Sequence, residues 1–547
     1  MTVSALSVLD PQLRESFPMN LLKAEELIFP LLTQMNKTSV GVTEGKGPAG
    51  EIGRGFQVVH KYMSGLAGRR TPANPLGPTM VDIGVPILLE GSTANTDNTP
   101  YPKGNEAPHS SVMTRTLVMH RSTGCMSVLN SWRQASALSL AQYDMIFNDL
   151  KAAAEMEKRT EAISFHAHRV TNDAGYETTV LGRIATGGVS AAFSAYTQAG
   201  ASTPGFVKFT LDESYGRIKN LAKGMEIDIA ADSSGTLQSG VLTNGTDVRN
   251  YATNAATGYV QVIITDVDPI NKTITCAGVS RAATVAHAFV VFDDTNGWGD
   301  GATFKPAAGD WIVGRDQSRY IAGTRPMFSY GLGDFIKESG KIMGGAAGSQ
   351  TLDLDAGANS EFKSRVKSDL NGPLIEMYLS QWLNGYAEAY PNIDLDTILT
   401  TAGVTQEFVS QCYTQGNNMG VFERTNKELQ VKGGWTLKKF TGATKEYDWW
   451  TSPVGLSGNC YVIGMNNGNF QQYTPPHVGG SNASYGPEVQ FLAPKIGFND
   501  IWMPELDGNG RPTDMSVAYY DRYVLVAPKM PNGILIKGCT EASMLSL

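Results

Sequence analysis

Four groups of residues in this chain have types and spacings that chemistry would need. Gly45-Lys46-Gly47-Pro48-Ala49-Gly50 matches the glycine spacing of a dinucleotide-binding turn, where the backbone must approach a pyrophosphate closely. Such a turn opens a helix and has an acidic residue about twenty positions on. Here Pro48 and the following EIGRGF oppose a helix, and Arg69 and Arg70 occupy the acidic region. The Ser or Thr that follows Gly-Lys in a phosphate-binding loop is also missing. His166 and His168 are two apart, so a helix would point them to different sides and make them poor joint metal ligands. Their expected setting is a polar helix end, where imidazole suits the negative dipole. Asp293, Asp294, Asn296 and Asp300 in DDTNGWGD could offer oxygens to calcium, but the spacing is not that of an EF-hand. Trp449 and Trp450 could mark a glycan or partner site, although buried core aromatics are the plainer reading. The other histidines (His60, His109, His120, His287, His477) stand alone, and no GxSxG, HExxH or kinase set occurs. No catalytic, cofactor-binding or metal-binding residue is assigned.

The elements around these residues are more telling. Residues 80–89 (MVDIGVPILL) and 112–120 (VMTRTLVMH) are apolar-rich arms. They flank a small and polar stretch, 91–110, that holds Asn95, Asp97, Tyr101, Lys103, Glu106 and His109. Arg115, Leu117 and Met119 alternate with Thr114, Thr116 and Val118, the period of a strand. Arms of about ten residues span ~33 Å, and a two-stranded ribbon is marginal by itself. This predicts an extended hairpin whose tip, at the six residues just named, lies on a neighbouring copy. A helix follows over residues 139–166. Leu140, Tyr143, Phe147, Leu150 and Ala154 recur at three- and four-residue steps and are the expected core face of a rod ~45 Å long.

Residues 1–50 read as an arm, ordered against a partner or frayed. Short β-segments at 206–211, 225–230, 259–267, 273–276, 288–292 and 311–313 are separated by Gly, Asn, Asp and Ser. Their spacing predicts an inserted antiparallel barrel or sandwich of roughly 120 residues. Helical spacing returns at Leu374, Met377, Tyr378, Gln381 and Trp382, and residues 519–528 and 534–537 read as closing strands. The fold class is α+β. The expected divisions are 1–50 (arm), 51–130 (extended hairpin), 131–195 (long helix), 196–325 (inserted β-domain), 326–500 (a second mixed domain) and 501–547 (returning strands).

The chain has 547 residues and a net charge of −8, with 18% charged residues and 59 glycines. The charged fraction lies below the usual quarter, which favours a surface covered by something other than water. A mildly acidic chain is not a nucleic-acid-coating one. Five scattered cysteines show no CxxC pair, which fits free buried thiols in a reducing compartment. No stretch reaches the apolar length of a membrane span, and the first residues do not read as a signal peptide.

The order of these parts resembles the tailed-bacteriophage major capsid proteins with the Hong Kong 97 fold. Three stretches carry the resemblance: PYPKGNEAPHSSVMTRTLVMHRSTG leading into SLAQYDMIFNDLKAAAEMEKRTEA; the β-pattern LAKGMEIDI, VIITDVDPINKTITCAG and PAAGDWIV; and MFSYGLGDFI with the helices after it. The chain is larger than typical members, and the cross-linking Lys–Asn chemistry of the prototype has no assignable residues here. The resemblance implies a coat protein, not an enzyme and without cofactor, that self-assembles into pentamers and hexamers of an icosahedral shell around double-stranded DNA. It implies an N-terminal arm, extended hairpin loop, spine helix, peripheral and axial domains, with the last strands returning to the peripheral domain. Scaffold and portal proteins, possible decoration proteins, weak nonspecific DNA contact and no membrane are the implied partners. The implied location is the virion capsid, assembled in the host cytoplasm. The alternatives are an encapsulin-like compartment, another virion part such as a tail or decoration protein, and a carbohydrate-binding or hydrolytic β-rich enzyme.

Overall fold

The computed structural model describes residues 36–39, 43–44, 56–67, 109–118, 120–129, 140–172, 177–186, 206–230, 232–233, 236–237, 259–280, 288–290, 292–293, 297–298, 308–314, 330–340, 362–390, 393–414, 439–442, 445–465, 469–474, 489–491, 502–506, 510–528 and 530–542, with single positions 20, 23, 24, 31, 35, 342 and 356. Helices and sheets are mixed along the chain, so the described residues are α+β.

The helix predicted from three- and four-residue steps spans Leu140–His166. Its middle and its last turns differ. Lys151, Ala152 and Met156 are exposed, whereas every position from 161 to 167 is buried. A helix buried all round belongs to the inside of a large body rather than to its surface. Lys158, also fully buried, is paired with Glu161 one turn on, Nζ to Oε2 at 3.3 Å. The short helix Leu332–Phe335 caps this buried end. Its first flanking residue must be a glycine, because a Cβ at Gly331 would stand 2.4 Å from the carbonyl oxygen of Ser164.

Six strands are joined in a ring of antiparallel pairings. Glu177–Arg183 lies beside Trp311–Gly314, then come Glu226–Ala230, Tyr259–Asp268, Thr273–Ser280 and Phe206–Thr210. A bridge between Leu211 and Ile184 returns to the first strand. Alternation puts Ile227 with Ile229, Val262 with Ile264 and Ile274 with Cys276 on one side, all fully buried. The strand Glu177–Arg183 lies outside the segments picked out by sequence, which start at 206.

A six-stranded mixed sheet runs in the order Arg365–Lys367, Ile534–Ile536, Cys460–Ile463, Thr397–Thr400, Glu446–Thr451, Lys439–Thr441. Its central strands read TILT, CYVI and ILI, apolar without alternation, because both faces are covered. On one face Ile398, Val462 and Ile536 meet Leu383 of the helix Glu376–Ala389 and Phe408 of the helix Ala402–Thr414. On the other, Leu399, Ile463 and Leu535 join the cluster that holds Phe165 at the end of the long helix. The closing strand Ile534–Ile536 is thus a member of this sheet.

The third sheet is organised by one strand of 17 residues, Pro512–Pro528. It pairs with His120–Leu129, Trp502–Leu506, Val489–Phe491 and Phe470–Thr474. Part of the expected N-terminal arm is docked at home. Asn36–Ser39 pairs in parallel with Phe470–Thr474, and Leu31 and Met35 lie in the main core. The apolar character of those two side chains is what draws the segment in.

Phe165 is the joint of this core. It packs edge-on to Phe470 at 6.1 Å between ring centroids, and Phe335 meets the same ring at 5.8 Å. Truncating it leaves a cavity between the long helix and two sheets, so Phe165→Ala is expected to cost about 3–5 kcal/mol. A denaturant-unfolding series measures this, and an unchanged midpoint contradicts the placement.

Candidate inter-subunit surface

The region singled out for contact with a neighbour is built on Phe56–Ala67 and His109–Val118. These two strands run antiparallel from Gln57 opposite Val118 to Ala67 opposite His109, with the short Thr43–Glu44 on the outer edge of the first. Residues 112–118 therefore do form a strand, and its partner among the described residues is Phe56–Ala67. FQVVHKYMSGLA has no proline, and its Gly65 falls where the pairing register shifts between Ser64 and Ala67. Residues 80–89 themselves lie outside the described residues.

Strands of ten and twelve residues make a ribbon of roughly 33–40 Å. Among the described residues these three strands hydrogen-bond only with each other. The outer edge of His109–Val118 has no ladder partner there, and such an edge is a template for another chain. The ribbon is anchored at its base. One residue beyond Val118 the chain resumes as His120–Leu129 and pairs with the long strand over ten positions, from Val524 opposite His120 to Met515 opposite Leu129. A near-continuous extended run thus passes from the ribbon into the body.

Of the six expected tip residues, His109 is the first residue of its strand, opposite Ala67. Asn95, Asp97, Tyr101, Lys103 and Glu106 lie outside the described residues. Of the expected core face of the long helix, Ala154 is fully buried. Leu140, Tyr143, Phe147 and Leu150 are helical, and their side chains lie outside the described residues. A surface that the sequence reading did not single out is the outer side of the helix Glu376–Ala389. There Met377 is 54% exposed and Tyr378 39%, with Tyr378 stacked on Trp382 at 5.9 Å. The i, i+4 spacing of Tyr378 and Trp382 puts them on one side of the helix.

The residues first considered for chemistry are placed as follows. Gly45–Gly50 lies outside the described residues. In DDTNGWGD, Asp293 pairs with Gly297 in a tight two-strand turn, while Asp294, Asn296 and Asp300 lie outside the described residues. Trp449 is buried, stacked on Phe408 at 4.9 Å, and its Nε1 donates to Thr405 Oγ1 at 3.0 Å. Trp450 packs from the opposite face of the same strand into the main core. Cys276, Cys460 and Cys539 are buried free thiols, and burial pushes all three well up from the usual thiol range.

The two histidines correct the expectation of a polar helix end. His166 is buried and its Nε2 is 2.9 Å from Ser452 Oγ, tying the helix end to the strand Glu446–Thr451. His168 stacks on Trp311 at 5.8 Å and meets Tyr215 edge-on at 5.2 Å. Burial lowers both imidazoles to about 3, helped by Lys219 at His166 and by Lys537 and Arg183 at His168. A Ser–His pair at hydrogen-bond distance is the geometry of an activated nucleophile. An imidazole lowered that far is a weak base at neutral pH, so here the pair's chemistry is that of a tether.

No protein-family model matches the chain, and no curated protein matches it in sequence. Solved structures with partial similarity include the holo-SrpI encapsulin complex from Synechococcus elongatus PCC 7942, at 10% identity over 34% of this chain and TM-score 0.21. A cyanophage A-1(L) capsid asymmetric unit is 11% identical over 40% of this chain, with TM-score 0.25. A structure from Mycobacterium phage Patience is 8% identical over 98% of this chain and 90% of that one, with TM-score 0.28. The chain spans 54% and 63% of the first two.

The buried histidines set a pH dependence. Below about pH 6.5 the unfolded chain protonates both imidazoles, while the native chain keeps them neutral down to about 3. Stability is therefore full above 6.5 and falls as pH drops, by about 2 kcal/mol per histidine at pH 5. Denaturant unfolding at pH 7 and 5 measures the loss, and His166→Asn should remove roughly half of it. Equal midpoints at the two pH values contradict the burial.

Proposed function

We propose that this chain is a structural shell protein: a major capsid protein of the Hong Kong 97 type that closes into an icosahedral container for double-stranded DNA. The observation that carries the reading is the ribbon. Its strands bond among themselves, one long edge is open among the described residues, and its base is held by a ten-position ladder. A ribbon of that length is marginal alone and gains most by lying on a neighbour. Repeating one such contact around an axis closes rings of five or six copies, since a heterologous contact closes when its rotation does.

On this reading the ring of six strands is the inserted β-barrel, and the six-stranded sheet with its two helices is the domain around the ring axis. The work is done by many modest contacts acting together, so release from a closed shell is slow. The chain acts without catalysis or cofactor. Scaffold and portal come from other proteins, decoration proteins are possible partners, and DNA is met weakly and nonspecifically on the inner wall. Assembly in the host cytoplasm and residence in the virion capsid follow from the same reading.

Removing residues 91–108 spares both ribbon strands, and it separates this role from folding. The expected product is a folded subunit, with the circular dichroism and melting of the full chain, that forms far fewer closed particles in electron micrographs. Particles as many and as durable as those of the full chain would oppose the proposal. The contents of the full-length particles distinguish a DNA container from a compartment for cargo enzymes.

A further inference from the structure

The carboxylate of Glu541 sits where three segments of the chain meet. Its Oε2 accepts from Ser457 Oγ at 2.7 Å and its Oε1 from the Gly458 N–H at 3.1 Å. The hydroxyl of Thr401, which precedes the helix Ala402–Thr414, donates to the same Oε1. From the other side comes Arg217, Nη2 to Oε1 at 3.3 Å. Arg217 belongs to the turn that follows the ring strand Phe206–Thr210. It also donates to the Gly455 carbonyl at 2.9 Å and pairs with Glu213 at 3.5 Å, and Glu213 in turn holds Lys272 of the ring at 3.1 Å. The Ser457 N–H donates to the Glu213 carbonyl at 3.1 Å.

The slot is shaped for this side chain. A Cβ at Gly403 would stand 2.9 Å from the Cβ of Glu541, so any larger residue there would displace it. The backbone of the tail is stitched in on both sides, Thr540 N–H to Gly372 O at 2.9 Å and Ala542 N–H to Gly403 O at 3.1 Å. A negative group is also favoured at the start of a helix. Burial alone would raise this carboxyl. The hydrogen bonds from Thr401 and Ser457, the charge of Arg217 and the Gly458 N–H outweigh it and hold it below the usual carboxylate range.

We infer that Glu541 is a lock, carried on the C-terminal segment, that fixes the strand ring to the six-stranded sheet through Arg217 on one side and Thr401, Ser457 and Gly458 on the other. Withdrawal of the tail frees the turn 212–221 from the sheet while leaving each unit folded. The inference stands whether or not the chain builds shells, because it concerns contacts within one copy.

Hydrogen exchange on the full-length protein tests it. Glu541→Gln keeps the size and removes the charge. It is expected to speed exchange of the amides in 212–221 at least tenfold, with the ring strand Tyr259–Asp268 and the sheet strand Thr397–Thr400 unchanged. A chain ending at Thr540 should show the same pattern more strongly. If E541Q yields no folded protein, Ser457→Ala removes one of the carboxylate's bonds and should give the same local pattern, weaker. Exchange in 212–221 that stays within twofold of the parent overturns the inference. So does acceleration spread equally over all three regions, which would make Glu541 a general stabiliser rather than a lock.

Discussion

A helix whose last turns are covered on every side must find a partner for each polar group it carries inward. The helix Leu140–His166 brings in Lys158, Glu161, Ser164 and His166, and just past its end comes Arg169. Lys158 meets Glu161, Arg169 Nε meets Asp334 Oδ2 at 3.0 Å, and His166 meets Ser452. Pairs of this kind add little net stability, because desolvating two charges offsets most of their attraction. Their effect lies in the asymmetry. Lys158 and Glu161 travel together, but shifting the helix by one turn would break the His166–Ser452 bond and part Arg169 from Asp334, leaving two charges buried alone at a cost of about 3–5 kcal/mol. The helix end is therefore held in one position against the short helix Leu332–Phe335 and the strand Glu446–Thr451.

That fixed position is what the rest of the molecule is referred to. Phe165 joins the core shared by ring, six-stranded sheet and long-strand sheet. Outward along the same helix, Glu157 accepts from the Tyr520 hydroxyl at 3.2 Å. Tyr520 belongs to the long strand Pro512–Pro528, which carries His120–Leu129, which leads into the ribbon. Each step along this path is a ladder or a buried contact. A pull on the ribbon is thus resisted first by ten backbone-paired positions and then by the core.

The long helix was legible from its three- and four-residue steps, and the strand through residues 112–118 from its alternation. The buried helix end was misread because Lys158, Glu161, Ser164 and His166 are types that usually face water. His166 and the half-buried His168 find their partners across the fold, at Ser452 and Trp311, well over a hundred positions away. The strand Phe56–Ala67 was not picked out, because its apolar and polar residues come in pairs rather than alternating. The short runs TILT, CYVI and ILI carry no periodicity, so they do not declare strand against helix until their neighbours are known. Of the candidate surface, the ribbon was visible in outline, and the exposure of Met377 and Tyr378 emerged only once the opposite face of their helix was seen against the sheet.

The interior also changes the meaning of the composition. Only 18% of the chain is charged, and part of that is not on the surface. Lys158, Glu161, Asp228, Asp310, Asp334 and Asp396 are all buried. The outside is correspondingly poorer in charge than the sequence alone implies, and Met156, Ile270, Met377, Tyr378 and Tyr519 are among its exposed apolar side chains. Charge on the surface is what keeps separate copies apart in water. A molecule that places charge inside and, among the described residues, leaves a ribbon edge and apolar side chains outside has weakened its own defence against association. For a lone soluble subunit that balance is a liability. For a subunit whose ribbon lies on the next copy, the same balance lowers the repulsion that assembly must overcome.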